Sequence, residues 1–243
     1  MFGLVKDIIR LLRIQLVHLG VLFRRDIVLE EKILIVAPHP DDEVIGCSGL
    51  IQTFLKASKA VYVVILTGGE SSHKGCCSVS TSDLIAARRG LAIKVDMRLG
   101  IKRENLHFLD YQDGNIHESC LETEKLAKLI QEIRPNAIFI PHNQEGWSDH
   151  LQAGNIVRSL VKYDISIQLY EYCVWFWYYN TWNIDWRNAF LCVMTKEEHD
   201  LKNWAINTYI FPKASCGKPW SGLLPKVLVN ANRWNKELFF KIK

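Results

Sequence analysis

The chain has 243 residues and a formal net charge of +4. Apolar residues make up 49% of it and charged residues 23%, which is close to a soluble globular average and excludes a disordered or fibrous chain. The small charge, and the lack of basic runs interleaved with aromatic residues, argue against nucleic-acid binding. The length suits one domain with a modest extension.

The first 25 residues predict an amphipathic helix with a basic side. Lys6, Arg10 and Arg13 are spaced i, i+4, i+7 and share one face. The uninterrupted apolar stretch over 14–23 has half the length of ~20 residues that a spanning helix needs. Two interpretations are open: peripheral contact of residues 1–25 with a membrane, or docking on the domain or on a second subunit. We assign residues 1–28 to this extension and 29–243 to a single domain.

The rest of the chain alternates between strand and helix patterns. Apolar, β-branched runs predict strands over residues 32–37, 61–66, 105–109, 137–140, 165–174 and 190–194. Helical spacing of apolar residues predicts helices over residues 43–56, 82–98, 121–133, 150–161 and 196–206. This alternation indicates the α/β class, with a Rossmann-like, mainly parallel sheet flanked by helices.

The loops after the first four predicted strands should face one site, because ligands of such sheets bind beyond the carboxyl ends of the strands. These loops carry the residues His39, Asp41, Asp42, Asp113, His142, Asp149 and His150. A dinucleotide site is not indicated, since no G-x-G-x-x-G follows the first strand.

A His-Pro-Asp-Asp sequence follows the first predicted strand directly. Pro40 stiffens the turn because its ring fixes φ, so His39 and Asp42 can point at one cation. His150, which follows another strand, supplies a third ligand. Two imidazoles and one carboxylate are typical of a catalytic zinc site, and the same set suits Fe²⁺. The competing interpretation is that Asp41 or Asp42 caps the following helix.

The string PHPDDE resembles the first motif of the PIG-L/LmbE-like family of metal-dependent N-acetylglucosaminyl deacetylases. The similarity continues through Arg89 before Leu99-Gly100, through Phe108-Leu109, through Asp113-Gly114, and through Asp149-His150 at a helix start. It runs from about Lys32 to Tyr209, so both ends of the chain lie outside it.

The resemblance implies roles for individual residues. The implied metal ligands are His39, Asp42 and His150, holding zinc, or Fe²⁺ or another divalent cation. Asp41 is the implied general base. Arg89 and Asp113 are the residues implied to hold sugar hydroxyl groups. The competing interpretations are a solvated helix arginine for Arg89 and an Asp-Gly turn for Asp113.

The chain departs from the family pattern at two positions. The family's second motif is H-x-D-H, whereas this chain has Trp147 in place of the first histidine, so that histidine's role is unassigned. His142 is the hypothesised substitute as an acid, and Asp149 is predicted to orient an imidazole without binding the metal. The family also has Glu three residues after the arginine, where this chain has Ala92.

The resemblance implies a hydrolase that removes the acetyl group from an N-acetylglucosamine-type glycoconjugate and releases acetate. A lipid-linked and a nucleotide-linked substrate are both open. The alternatives are an amidase on another N-acyl compound and a non-catalytic metal-binding homologue. The seven cysteines show no C-x-x-C spacing and indicate a reducing, cytoplasmic setting, with peripheral membrane association through residues 1–25 as the open addition.

Two further segments drew predictions. The aromatic run over 174–182 predicts either core packing or a wall on which sugar rings stack, or else an interfacial belt. The polar loop over 67–80 predicts a mobile flap. His73 and the adjacent Cys76 and Cys77 in that loop are predicted to bind no metal.

Overall fold

A computed structural model describes residues 2–21, 24–75, 79–179, 182 and 184–242 of the protein. The predictions made for Cys76, Cys77 and positions 180 and 181 of the aromatic run therefore lie outside the described residues. The other five cysteines are free thiols.

One eight-stranded sheet forms the centre of the fold. The strands are β1 Arg25–Asp26, β2 Lys32–Ala37, β3 Ala60–Thr67, β4 Leu106–Tyr111, β5 Ala137–Pro141, β6 Gln168–Tyr172, β7 Ala189–Val193 and β8 Lys236–Lys241. Their order is β1-β7-β8-β6-β5-β2-β3-β4. Only β8 is antiparallel to its neighbours β6 and β7, so the predicted mainly parallel sheet is confirmed. The sequence patterns missed β1 and β8.

Helices cover both faces of the sheet. They are α1 Phe2–Gly20, α2 Asp42–Lys56, α3 Thr81–Leu99, α4 Leu121–Ile133, α5 Ser148–Leu160, α6 Phe176–Tyr179, α7 Lys196–Ile210 and α8 Lys226–Asn232. Alternate residues of each central strand belong to different cores. In β2, Ile33 and Ile35 pack towards α2, α3 and α7, whereas Leu34 and Val36 pack towards α4 and α5. Burial on both faces explains why these strands are apolar runs without polar alternation.

The strand order of the sheet reverses between β2 and β5, which makes this position the topological switch point. Strands β3 and β4 lie on one side of β2, and the next strands in the chain, β5 and β6, lie on the other side. The crossover loops after β2 and β5 therefore diverge, which opens a crevice at the carboxyl ends of these two adjacent strands. The sequence HPDD follows β2 and the sequence HNQEGWSDH follows β5, so the fold brings both polar loops to this crevice.

Helix α1 docks on the domain through its basic side. Arg13 is buried and donates to the carbonyl oxygens of Phe176 (3.1 Å) and Trp177, while Ile14 and Val17 pack into a third cluster with α6 and α8. Of the two interpretations of the helix, docking on the domain is what the structure contains, but with the basic side inward. Among the described residues, no helix combines the length and apolarity needed to cross a bilayer.

Strand β8 is held in the sheet by a buried ion pair as well as by its ladders. The ammonium of Lys202 in α7 donates to Glu237 in β8 (2.7 Å), and both side chains are almost fully buried. The same carboxylate accepts the backbone N–H groups of Gly49 (2.8 Å) and Leu50 (2.9 Å) in α2. Glu237 thus joins two helices to the one antiparallel strand.

Replacing Lys202 should destabilise the protein, because the buried carboxylate of Glu237 loses its cationic partner. We expect Lys202→Ala to lower the free energy of unfolding by roughly 3–5 kcal/mol, measured by urea denaturation. The matched control is Lys196→Ala, in the exposed first turn of the same helix, which should change it by less than about 0.5 kcal/mol. Equal effects of the two variants would show that the pair does not hold β8.

Candidate metal and catalytic site

The loop after β2 is rigid and locally strained. Asp41 is a non-glycine residue with φ 133° and ψ −27°, a conformation that costs free energy unless surrounding contacts maintain it. Its backbone N–H donates to the carboxylate of Glu43 (3.0 Å), and that carboxylate also accepts the hydroxyl of Tyr209 (2.6 Å). After this strained turn Asp42 begins α2, and the side chains of both Asp41 and Asp42 face the crevice.

Three of the predicted ligands come together around one carboxylate oxygen. Asp42 Oδ2 lies 3.1 Å from His39 Nδ1 and 3.2 Å from His150 Nε2. One ligand atom from each of the three residues lies within 4.8 Å of the others. His150 is fully buried in the first turn of α5, and neither of its ring nitrogens makes a well-aligned hydrogen bond within the described part of the chain.

Carboxylates hold the opposite nitrogen of each imidazole. Nε2 of His39 lies 3.1 Å from Asp113 Oδ1 and 3.2 Å from Asp149 Oδ2, and Nδ1 of His150 lies 3.2 Å from Glu145 Oε2. Such outer carboxylates fix the tautomer and ring orientation of a metal-binding histidine. They leave Nδ1 of His39 and Nε2 of His150 directed at Asp42, as a shared cation would require.

A second cluster around His39 also has metal-ligand spacing. It consists of His39, Asp113 and Asp149. Its two carboxylates already accept backbone N–H groups, Asp113 from Ser71 (2.7 Å) and Asp149 from Gly114 (2.7 Å). We therefore infer that this cluster orients His39 and that the cation belongs to the other nitrogen of the same ring.

Carboxylates outnumber cationic groups around the candidate ligands, and this raises the pKa values of the two histidines. Burial would lower the pKa of His150, but Asp42 and Glu145 raise it to about 9. Burial likewise opposes protonation of His39, yet its three carboxylate neighbours raise its pKa well above the ordinary value. Burial raises the pKa of Asp41 to about 8, against the lowering effect of Arg88. A divalent cation would supply the missing positive charge and displace the histidine protons, so the residues present fit such a group.

The arginine that reaches the site is Arg88. It is buried and donates to the carbonyl oxygens of Gly69 and Pro40 (both 2.9 Å), and it lies 3.5 Å from Asp41 Oδ2. Gly69 has φ 69°, and a Cβ there would lie 2.1 Å from the Arg88 guanidinium. The close approach of this guanidinium therefore depends on glycine at position 69.

Arg89 points away from the site, contrary to the sequence-based expectation. It donates to the carbonyl oxygen of Leu109 and to Asp110 (both 2.7 Å), and its guanidinium lies over the ring of Phe108. The physical reason is helix geometry, because one residue step rotates a side chain by about 100°. Arg88 shares its face of α3 with the buried Leu84, Ala92, Val95 and Leu99; this spacing was the signal that could have identified it.

A cavity of about 340 Å³ opens in front of Asp41. The loops after β2, β3, β4 and β5 contribute to its wall, together with Arg88 and a C-terminal segment at residues 218–224. That segment lies beyond the part of the chain that the sequence resemblance covered. It reaches the site only through the fold, because Gly222 packs against Ser72 of the loop after β3.

Trp147 forms part of the cavity wall rather than the catalytic group of the family motif. Its ring stacks on Trp175, with centroids 4.9 Å apart and planes 9° apart, and Trp175 stacks on Tyr179. Both tryptophans line the cavity. Of the predicted aromatic run, Phe176 and Trp177 are instead buried in the core, so the segment divides between core packing and the cavity wall.

His142, the hypothesised substitute for the histidine absent at Trp147, is buried in the core. Its ring is buried between Phe176 and Phe240, and its Nδ1 accepts the backbone N–H of Gln144. Burial, followed by the charge of Arg158, lowers its pKa to about 3. His142 is not among the residues that line the cavity, so these contacts do not support the hypothesis of His142 as an acid.

Glu145 is a second site residue, besides Arg88, that the sequence patterns did not identify. It is fully buried, and its carboxylate accepts the backbone N–H groups of Val174 (2.8 Å), Trp175 and Phe176 (3.0 Å) besides contacting His150. Its position five residues before His150 in the same loop was available in the sequence. Its contact with α6 was not, because that contact forms across the crevice.

The comparison with known families agrees with this geometry. Residues 34–161, a little over half of the chain, match the family described as PIG-L, GlcNAc-PI de-N-acetylase. The chain belongs to the PIG-L family. The match includes β2 with the HPDD loop, α3 and the start of α5, and so includes all three candidate ligands.

Similar proteins carry more than one chemistry on this fold. The PIG-L chain is 28% identical over 128 residues to diacetylchitobiose deacetylase of Thermococcus kodakarensis, covering 51% of this chain and 46% of that protein. It therefore spans about half the length of this relative. A structure of N,N'-diacetylchitobiose deacetylase from Pyrococcus horikoshii has a TM-score of 0.59 at 24% identity, covering 73% and 69% of the two chains. A 4-carboxy-2-hydroxymuconate hydratase from Pseudomonas putida KT2440 has a TM-score of 0.56 at 18% identity, covering 73% and 78%, so the fold alone does not decide the reaction.

Removing one candidate ligand, His150, and removing a carboxylate that orients another, His39, should have graded effects on metal affinity. We expect His150→Ala to abolish measurable zinc binding, and Asp149→Asn to weaken it by roughly 10- to 100-fold because His39 loses its orientation. Competition with a chromophoric chelator measures both affinities. The control is His117→Ala, an exposed histidine, which should bind zinc as the unchanged protein does. Unaltered affinity in His150→Ala would refute the ligand assignment.

Proposed function

We propose that this protein is a metal-dependent hydrolase that removes the acetyl group from an N-acetylated amino sugar. One observation carries the proposal: His39, Asp42 and His150 converge beside Asp41, at a cavity in the switch-point crevice of the sheet. Membership of the PIG-L family and the similarity to a diacetylchitobiose deacetylase support the choice of amide and sugar.

We propose zinc as the cation, with Fe²⁺ as the alternative for the same ligands. His39 would bind it through Nδ1 and His150 through Nε2, because their other ring nitrogens face carboxylates. A divalent cation in such a site lowers the pKa of water to about 7 and polarises the acyl oxygen of the amide.

Asp41 is the proposed general base. It takes a proton from the attacking water, whose oxygen forms a bond to the acyl carbon. The carbon–nitrogen bond then breaks, and the same proton passes from Asp41 to the nitrogen, which leaves as the free amine. The other product is acetic acid, which releases the second proton of the water to the solvent as acetate. Without a cation the burial of Asp41 favours its neutral form, and a bound cation would restore the carboxylate that the reaction needs.

Arg88 and the aromatic wall are the proposed substrate contacts. Arg88 holds Asp41 from one side and lines the cavity, so it fixes the direction of the base and can donate to a substrate oxygen. Trp147 and Trp175 present stacked, flat apolar rings on the opposite wall, a surface that suits the apolar face of a pyranose ring. Asp113 also lines the cavity but uses both carboxylate oxygens on the protein, which favours a role in orienting His39.

Two other functions share this geometry. An amidase on a different N-acyl compound would use the same cation and base. A non-catalytic metal-binding homologue would account for the loss of the motif histidine at Trp147. The buried, strained Asp41 weighs against this second alternative, because a binding protein gains nothing from the free-energy cost of that conformation.

Acetate release from a substrate panel tests the proposal. The zinc-loaded protein is given N-acetylglucosamine, diacetylchitobiose, a nucleotide-diphosphate-linked form and a lipid-linked form, each with and without chelator. Chelator-sensitive acetate release from any member supports the proposal, and the preferred member identifies the aglycone. Absence of release from every member, with zinc shown to be bound, would overturn it.

Removing the base should stop turnover without removing the metal. We expect Asp41→Asn to lower kcat by roughly 10²- to 10⁴-fold, while zinc affinity stays within a few-fold of the unchanged protein because Asp41 is not a ligand. The control is Asp110→Asn, an exposed carboxylate outside the cavity, which should retain kcat. Full activity in Asp41→Asn would contradict the assignment.

The two adjacent arginines form a matched pair for testing substrate contact. We expect Arg88→Met to lower kcat/KM by roughly 10- to 100-fold, the loss of one or two charge-assisted hydrogen bonds. Arg89→Met breaks only a partly exposed ion pair with Asp110 and should lower kcat/KM by less than about fivefold. A larger loss in Arg89→Met than in Arg88→Met would reverse the assignment.

A further inference from the structure

Helix α1 carries its apolar face outward. The side chains of Val5, Ile8, Ile9, Leu11, Leu12, Leu16 and Leu19 are between 47% and 61% exposed. Together with Gln15 they occupy one side of the helix, and none of them is charged. We call these seven apolar residues the outer stripe. A water-soluble surface helix normally buries such a stripe against the core, whereas α1 exposes it and buries Ile14, Val17 and Arg13 instead. We call this arrangement inverted.

Specific bonds maintain this inversion. Arg13 is buried with its guanidinium on the carbonyl oxygens of Phe176 and Trp177. Arg10 donates to the carbonyl oxygen of Tyr178 (3.1 Å), and its guanidinium lies 3.7 Å from the centre of the Tyr178 ring. These carbonyls belong to α6, whose C-terminal end attracts cations. Rotating the helix to bury the outer stripe would break every one of these contacts.

We propose that the outer stripe of α1 is a docking surface for a lipid bilayer, on which the helix lies flat. The stripe is contiguous, apolar and fixed to the domain, which is the arrangement that interfacial helices use. No charged side chain lies within the stripe, and the adjacent Lys6 and Asp7 carry opposite charges, with Asp7 paired to Arg10. Tyr179, at the end of the adjacent α6, is exposed as well, and tyrosine is favoured at the headgroup level.

The size of the stripe distinguishes a bilayer from a second copy of the chain. From Val5 to Leu19 a helix extends about 20 Å and is about 10 Å wide, a footprint on the order of 200 Å². Each partner in a stable protein interface buries about 800 Å², so the stripe is too small to hold a dimer by itself. A bilayer needs only the apolar face, because each buried CH₂ contributes about 0.8 kcal/mol.

The helix that carries the outer stripe is connected to the cavity wall through α6. The segment that receives Arg10 and Arg13 is continuous with Trp175, which lines the cavity. The membrane contact itself does not depend on the proposed reaction.

Vesicle co-sedimentation of the full chain tests the proposal. The probes are vesicles of phosphatidylcholine alone and of phosphatidylcholine mixed with phosphatidylglycerol. We expect the protein to bind both, and the doubly substituted Leu12→Glu, Leu16→Glu protein to bind at least roughly tenfold more weakly. The uncharged Leu12→Gln, Leu16→Gln pair should show the same direction of change. Lys6→Gln should weaken binding to the anionic vesicles alone, by roughly fivefold.

A matched control and an oligomer measurement complete the test. Met97→Glu with Ile165→Glu changes two exposed apolar residues outside α1 and should leave vesicle binding unchanged. Sedimentation velocity should show a monomer for the unchanged protein. Absence of binding to both vesicle types, or equal binding by the stripe variants, would overturn the proposal. A dimer that Leu12→Glu, Leu16→Glu dissociates would show that the occupant is a second copy instead. Vesicle binding is read without turnover, so failure here and failure of the deacetylase assay are distinguishable.

Discussion

A group of buried carboxylates at the carboxyl ends of β2 and β5 sets the constraint that the rest of the structure satisfies. Its members, each 5% exposed or less, are Asp41, Asp42, Glu43, Glu145 and Asp149. Burying charge of one sign is costly unless cations and hydrogen-bond donors surround it. Arg88, the two imidazoles and a series of backbone amides provide part of that compensation. The remaining deficit lies at the point where His39, Asp42 and His150 converge, which is where a divalent cation fits.

Glu145 connects this carboxylate group to α6 and, through α6, to the surface helix α1. Its carboxylate holds the N-terminal amides of α6, while Arg10 and Arg13 hold the C-terminal carbonyls. A helix of a single turn cannot satisfy its own terminal groups, so opposite charges at its two ends stabilise it. Through this helix the orientation of α1, the aromatic wall and the candidate ligand His150 are mechanically linked.

Trp147 shows how one substitution changes what a motif does. In the family pattern this position holds a histidine, and here an indole stacks on Trp175 instead. The exchange removes an ionisable group and adds a flat apolar surface at the cavity. Under the proposed reaction, Asp41 therefore both takes the proton from water and returns it to the leaving nitrogen. The indole in turn adds a flat surface on which a sugar ring can stack.

The sequence by itself determined the fold class, most strands and helices, and the three candidate ligands, because strand periodicity and a short rigid HPDD loop are local properties. It predicted substrate contact for Arg89, whereas Arg88 reaches the cavity, although the spacing of buried residues on α3 favoured Arg88. It also named His142 as a candidate acid, because burial between two aromatic rings is a tertiary contact that the sequence does not show. Three other features join segments that are far apart in the chain. They are the antiparallel pairing of β8, the contact of Glu145 with α6, and the approach of residues 218–224 to the cavity. Only the tertiary structure decided those, and it also decided which side of α1 faces outward: the pattern of α1 defines two faces, but the carbonyl groups that bind its arginines lie on α6, more than a hundred residues away.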